Sequence, residues 1–305
     1  MAPVVGRFAP TPSGRMHLGN VFSALLAWLS VRSQGGTIVL RMEDLDAQRT
    51  KPEYAAILLD DLAWLGLDYD IHTPAQSTRT HVYDKYFSVL QDMGLLYPCY
   101  CTRNQLHSVN APHLSDGTYV YPGTCRDLTS DQQASFTRAP AWRVKVPEQE
   151  FVVSDALQGL YRENLATDCG DFIIRRADGA YVYQLAVTVD DGLAGVTEVV
   201  RGRDLLSSAP RQMYLQSLFG FAHPSYAHVP MLMSTDGRRL SKRDKDLDLG
   251  QLRKHMSAPA LLGRLACSAG LIDRSEPVSA RELIGEFSWD KVQKEDIPID
   301  TTGFL

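Results

Sequence analysis

Two hydrophobic periods alternate along this chain, and the switches between them mark its elements. Residues 3–9 (PVVGRFA) and 37–43 (TIVLRME) are short β-branched and aliphatic runs, as in parallel strands buried on both faces. Between them Leu18, Val21, Phe22, Leu25, Trp28 and Leu29 recur at helical spacing as one apolar stripe, closed by Gly35-Gly36. Strand, turn, helix and strand in that order predict a right-handed βαβ crossover and a parallel sheet. Two more helical periods run through PEYAAILLDDLAWLGLDYD and HVYDKYFSVLQDMGLL. From residue 99 to about residue 150 the period is lost, which predicts an insertion between two halves of a sheet-based domain. Strand-like patterns resume in AWRVKVP, DFIIRRADGAYVYQLAVTVDD and VTEVVRG, followed by a helix over PRQMYLQSLFGF. A charged loop, STDGRRLSKRDKDLDLG, then leads into a helical ending that contains LRKHMSAPALLGRLACSAG.

Composition narrows the class. At 305 residues, with 44% hydrophobic and 22% charged content, the chain can bury a sizeable core. It has no apolar run long enough to span a membrane, and its start (MAPVVGRFAP) lacks the pattern of a secretory signal, so a cytoplasmic location is expected. The net charge of -5 argues against a general nucleic-acid coat, while leaving room for a local basic surface that meets one structured RNA. Of the five cysteines, Cys99, Cys101 and Cys125 cluster, which in such a chain points to metal more than to disulfides.

The candidate chemistry begins directly after the first strand, in RFAPTPSGRMHLGN (residues 7–20). A loop leaving the C-terminal end of a parallel strand and entering a helix sits where open α/β sheets bind ligands, and the helix N-terminus suits phosphate. Gly14 and Gly19 permit close backbone approach, and His17 can donate a hydrogen bond from the same turn. Far downstream, RRLSKRDKD sets Lys242 in a basic loop, where a lysine can stabilise charge developing on phosphate oxygens.

PTPSGRMHLGN resembles the HIGH-type signature, and RLSKR the KMSKS-type signature, of class I aminoacyl-tRNA synthetases. RMEDLDAQR, DDLAWLGLDYD, QSTR, LYPCYC, YQLAVTVDD and VVRGRDLL narrow the resemblance, in order across about residues 4 to 250, to the glutamate-specific branch. Only about 55 residues follow the lysine loop, so the likeness is nearest to the short paralogue family that acts on the queuosine base of tRNA(Asp). The resemblance implies an α/β, Rossmann-like catalytic domain with a zinc-bearing insertion and a short helical C-terminal region. Its expected division is 1–98 and 151–250 for the two catalytic halves, 99–150 for the insertion and 251–305 for the end.

By that resemblance, Arg7, Phe8, Ala9, Pro10 and Thr11, with Glu43, Tyr183 and Arg201, form the glutamate site. Gly14, His17, Gly19, Asn20 and Lys242 bind ATP, and His17 and Lys242 are the catalytic donors, with Mg2+ accompanying ATP. Glu43 is expected to end the second strand and to accept from the substrate ammonium, while Tyr183 and Arg201 are expected on strands. The resemblance also implies that Cys99, Cys101, Tyr121 and Cys125 hold one structural zinc, although His107 or His113 would be the conventional fourth ligand. Asp190 and Asp191 read as turn-capping residues rather than catalysts, and Arg41, Asp44, Asp46 and Arg49 as a structural ion network.

The function expected is ATP-dependent, tRNA-independent activation of L-glutamate to glutamyl-adenylate, followed by transfer to queuosine-bearing tRNA(Asp), by a monomer. Two alternatives stand beside it: a shortened synthetase charging tRNA(Glu), and a non-catalytic RNA-binding relative. Intact His17, Glu43, Arg201 and Lys242 disfavour the latter. Nucleotidyltransferases of the same superfamily carry a similar turn but not the glutamate-branch motifs.

Overall fold

The computed structural model describes residues 3–102, 105, 120–235, 237–238 and 248–300. Lys242, His107 and His113 lie outside the described residues. Strand β1 (Val5–Phe8) is followed by helix α1 (Leu18–Ser33) and strand β2 (Thr37–Leu40), and β1 and β2 pair in parallel. After α2 (Pro52–Leu65) and β3 (Ile71–His72), α3 (Thr80–Asp92) leads into β4 (Leu96–Cys99). A short helix α4 (Ser130–Ala134) precedes β5 (Ala141–Val144), the hairpin β6 (Glu150–Asp155) and β7 (Gly159–Asn164), and β8 (Phe172–Arg175). Helix α5 (Tyr183–Leu193), β9 (Glu198–Gly202), α6 (Ser208–Phe219), β10 (Ser225–Val229) and β11 (Leu232–Ser234) complete the sheet domain. Helices α7 (Leu249–His255) and α8 (Ala258–Ala269) follow, and β12 (Ile297–Ile299) ends the described chain.

Seven strands form the main sheet in the order β3-β2-β1-β9-β10-β6-β7, parallel except for the last pair. Strand order reverses between β1 and β9, which creates a crevice at the carboxyl ends of the strands. A second, antiparallel sheet joins β4, β5 and β8, so the strand ending at Cys99 is hydrogen-bonded to the strand carrying Arg143. β12 returns to pair in parallel with β11, so after α8 the C-terminal region continues through two short 3-10 helices (Glu282–Glu286 and Trp289–Lys291) and closes as a strand rather than as further α-helix.

Helix α1 has more than one apolar stripe. Leu18, Val21, Phe22, Leu25, Leu26, Trp28, Leu29 and Val31 are all buried, because the sheet covers one side and residues of α2, α7 and α8 cover the other. The Leu- and Ala-rich run favours helix, and Gly35, at φ +64, ends it in the left-handed conformation that side chains disfavour.

The segment YQLAVTVDD, whose β-branched alternation predicts a strand, is the body of helix α5. Leu185, Ala186 and Val189 join a core built with Tyr83, Phe87, Leu90 and Tyr214, and this packing overrides local propensity. Tyr183 therefore opens a helix rather than lying on a strand. Arg201 does lie on a strand, β9, and Glu43 sits three residues beyond the end of β2.

Candidate active site

A cleft of about 660 Å³ opens where β1, β2, β9 and β10 end. The turn after β1 forms one wall and is stitched to the chain leaving β2: the Arg41 N–H donates to the Phe8 carbonyl at 3.0 Å, and that of Glu43 to Pro10 at 3.0 Å. Gly14 sits at φ +132, a conformation that only glycine adopts without strain. Arg15 leaves the turn to pair with buried Asp61 of α2 at 2.7 Å, and Asp61 also takes Arg253 of α7 at 3.1 Å. The turn is thereby tied to the helix that follows the lysine loop.

His17 is the N-cap of α1, with extended backbone angles, and its N–H donates to Asn20 Oδ1 at 3.3 Å. Its ring folds over Gly19, where an added Cβ would stand 3.1 and 3.2 Å from two ring atoms. A side chain larger than hydrogen at position 19 would have to push the imidazole aside. His17 also forms an isolated bridge with Asp248, and the Leu249 N–H donates to the Met16 carbonyl at 2.9 Å. Met231 and Leu232, on the other flank of the lysine loop, line the same cleft. Both described flanks of the segment that carries Lys242 therefore reach the site.

Arg7, Phe8, Ala9, Pro10, Thr11, Gly14, His17, Gly19, Asn20, Glu43, Tyr183 and Arg201 all line this one cleft. Beneath it lies a buried ion network. Arg41, 1% exposed, donates to Asp191 Oδ1 at 2.6 Å and to Glu43 Oε1 at 2.9 Å, with Asp190 at 3.7 Å. Arg7 donates to the Val200 carbonyl at 2.9 Å and faces Asp191 at 3.6 Å. Asp190 accepts from Gln76, Arg79 and Tyr83 at 2.8 to 2.9 Å. Burial pushes the Asp191 carboxyl up, but Arg41 and Arg7 outweigh it and hold the group below the ordinary range. For Glu43 burial prevails over Arg41, so its carboxyl is raised.

Asp190 and Asp191 thus take buried guanidinium groups at the end of a helix, which corrects the expectation of turn caps. Of the four residues expected to form an ion network, Arg41 belongs to it. Asp44 instead accepts from Ser77 N–H and hydroxyl, Asp46 holds its own turn through Gln48, and Arg49 lines the cleft.

Sequence reasoning missed the surroundings of Arg201. Its Nε donates to His228 Nε2 at 2.9 Å and its Nη1 to Gln212 Oε1 at 2.8 Å and the Tyr183 hydroxyl at 3.5 Å. His228 is wholly buried, and its Nδ1 lies 2.6 Å from Asp155 Oδ2. Neither residue sits in a chemical motif; the only signal is a charged or imidazole side chain near the end of an apolar strand pattern.

The cysteine cluster lies apart from the cleft. The Sγ atoms of Cys99, Cys101 and Cys125 fall within 4.8 Å of one another, and none of the three forms a disulfide. The Tyr121 hydroxyl stands 3.5 Å from Cys99 Sγ and 3.9 Å from Cys101 Sγ. Arg143 donates to Cys99 Sγ at 3.3 Å, and its guanidinium lies 3.6 Å above the Tyr121 ring. Burial, with the neighbouring Cys99 and Cys125, pushes the Cys101 thiol up to about 12, the repulsion that a divalent cation at the centre would relieve. The donor set fits a tetrahedral metal site.

Residues 3–300 match the family model for class I tRNA synthetases (E and Q), catalytic domain. The chain is 44% identical over 296 residues to the glutamyl-Q tRNA(Asp) synthetase of Nitratidesulfovibrio vulgaris, covering 93% of this chain and 91% of that protein. It is likewise 44% identical to the glutamyl-Q tRNA(Asp) synthetase of Symbiobacterium thermophilum, covering 98% of each. Among solved structures, the glutamate tRNA ligase of Elizabethkingia meningosepticum, crystallised with its amino acid, superposes with a TM-score of 0.83 at 26% identity, over 98% of this chain and 67% of that one.

Proposed function

We propose, because this chain belongs to the family of class I tRNA synthetase (E and Q) catalytic domains, that it is a ligase which activates L-glutamate with ATP and transfers it to the queuosine base of tRNA(Asp). The observation that carries the reading is the single cleft, which gathers a helix N-terminus at His17 for phosphate with Glu43, Tyr183 and Arg201 for an amino acid.

In the activation step a glutamate carboxylate oxygen attacks the α-phosphorus of ATP, and the bond to the bridging oxygen breaks to release pyrophosphate. The nucleophile is already ionised at neutral pH, so the site needs positioning and charge stabilisation rather than a general base. Arg7 to Thr11, Glu43, Tyr183 and Arg201 bind glutamate in this reading; Gly14, Gly19 and Asn20 receive ATP, and His17 and Lys242 meet the charge on the leaving phosphates. Mg2+ accompanies ATP, and zinc on Cys99, Cys101, Tyr121 and Cys125 has a structural role in the insertion at 99–150. No helix among the described residues is long and apolar enough to cross a membrane, and cytoplasmic location as a monomer completes the proposal.

The likeness to glutamate tRNA ligases favours a second reading, charging of tRNA(Glu). One experiment separates the two. Enzyme, ATP and labelled glutamate are incubated with tRNA(Asp) bearing or lacking queuosine, and with tRNA(Glu). Label is expected only on queuosine-bearing tRNA(Asp), blocked by mild periodate oxidation of that base, and glutamate-dependent ATP–pyrophosphate exchange is expected without RNA. His17→Ala should lower that exchange by about 10² to 10³. Label on tRNA(Glu) would establish the second reading instead.

A further inference from the structure

Arg41, buried beneath the cleft, and Arg201, buried in its wall, are partnered in opposite ways. Arg41 is matched by Asp190, Asp191 and Glu43. Among the described residues, Arg201, 5% exposed, has only neutral hydrogen-bond partners: the His228 ring, the Gln212 amide and the Tyr183 hydroxyl. Its Nη2 is buried and has no hydrogen-bond partner among the described residues.

The network fixes the state of His228. An arginine Nε always carries its proton, so His228 Nε2 must offer the lone pair that accepts it. The ring proton then sits on Nδ1 and is donated to Asp155 Oδ2 at 2.6 Å. Asp155 is itself fixed by the N–H groups of Leu157 at 3.0 Å, Gln158 at 2.9 Å and His228 at 3.0 Å. The chain of bonds crosses three neighbouring strands, with Arg201 and His228 directly opposite in parallel register. Tyr226 stacks on the imidazole, with centroids 5.8 Å apart, and lies under the guanidinium at 5.6 Å.

We propose that Asp155 and His228 are positioning residues for Arg201: they hold the imidazole as a neutral acceptor, which orients the guanidinium without neutralising it and keeps its Nη2 edge for a carboxylate of the substrate. A carboxylate in place of His228 would form an ion pair with Arg201 and compete with substrate. A protonated imidazole would have no acceptor to offer and would repel the guanidinium. Burial lowers the His228 pKa to about 4, against the hydrogen bond it donates to Asp155 and with the charges of Arg201 and Arg7, so the acceptor form persists at neutral pH.

This inference rests on the reading that the cleft activates glutamate, and the test separates the two. The full chain is prepared as wild type, His228→Leu, His228→Gln and Asp155→Asn, and KM values for glutamate and for ATP are measured in pyrophosphate exchange. His228→Leu should raise the glutamate KM about tenfold or more and leave the ATP KM within about twofold, the loss of one oriented charged contact. His228→Gln, whose amide oxygen can still accept from Arg201, should recover most of that loss. Asp155→Asn should behave like His228→Leu, because the amide would donate to Nδ1 and force a proton onto Nε2, facing Arg201. A merely structural role would lower kcat with the active fraction and move neither KM. An active wild type with an unchanged glutamate KM in folded His228→Leu, or in folded Asp155→Asn where His228→Leu fails to fold, overturns the relay alone. A wild type with no glutamate-dependent exchange overturns the activation reading, and the relay with it.

Discussion

The pairing of Arg201 with a neutral ring has a consequence for stability as well as for binding. His228 has a folded pKa of about 4 against an ordinary value of 6.5, so between those values the native protein holds fewer protons than the unfolded chain. Stability from this group is therefore complete above about pH 6.5 and is lost as the pH falls toward 4, by up to about 3 kcal/mol for a shift of that size. Below that window Asp155, whose carboxyl the His228 hydrogen bond holds low against burial, takes over the acid sensitivity. Glu43, raised by burial, acts in the opposite direction, so the variant is compared with wild type rather than read alone. Urea unfolding at pH 7 and pH 4.5 should show wild type losing more stability than His228→Gln; equal losses would mean that His228 is not held neutral. His17, Glu43, Tyr183 and Arg201, which line one cleft, are singled out in the sequence by the motifs around them. Asp155 and His228 are not, since their roles arise from register between distant strands.

At the scale of elements, local pattern succeeds where one face meets one neighbour and fails where burial is complete. β1, β2 and β9 lie within the predicted runs, and α1 falls where its period puts it. α5 was written in strand-like residues, Val187, Thr188 and Val189, and becomes a helix because Leu185, Ala186 and Val189 fill a core while Asp190 and Asp191 meet Arg41 and Arg79. Thiol spacing is local information, and Cys99, Cys101 and Cys125 accordingly converge as the spacing predicts. What spacing cannot supply is Arg143 on β5, which lies against both Cys99 and the Tyr121 ring. Three thiolates and a phenolate would leave a Zn2+ site with net negative charge, and this guanidinium offsets part of it. Metal analysis of purified protein should return about one equivalent of zinc, and Cys125→Ser should fall below half; less than half an equivalent in wild type would reject zinc at this site.

At the scale of the molecule, the region after the lysine loop belongs to the same core as the catalytic sheet. Leu249, Leu252, Leu261, Leu265, Leu283 and Val292 pack in one cluster with α1 and with Leu40, Val200 and Val229 of the sheet. Helical period alone shows that α7 and α8 exist, but not that their apolar faces cover α1, because that is a contact between segments more than 200 positions apart. Gly263 makes the packing close: a Cβ there would stand 1.8 Å from the Glu276 carbonyl oxygen, and the Val278 N–H donates to the Pro259 carbonyl at 3.0 Å. Gly263→Ala must therefore separate α8 from the 276–278 segment, at a cost of about 2 kcal/mol or more, as overpacking does. Because the core is continuous, that loss should appear in one cooperative urea transition, followed alike by fluorescence and by loss of pyrophosphate exchange. A C-terminal region that folded independently would give an early, separate transition with exchange intact. The bond from Leu249 to Met16 and the shared pairing of Asp61 with Arg15 and Arg253 argue for the first outcome, since the signature turn leans on the region the substitution disturbs.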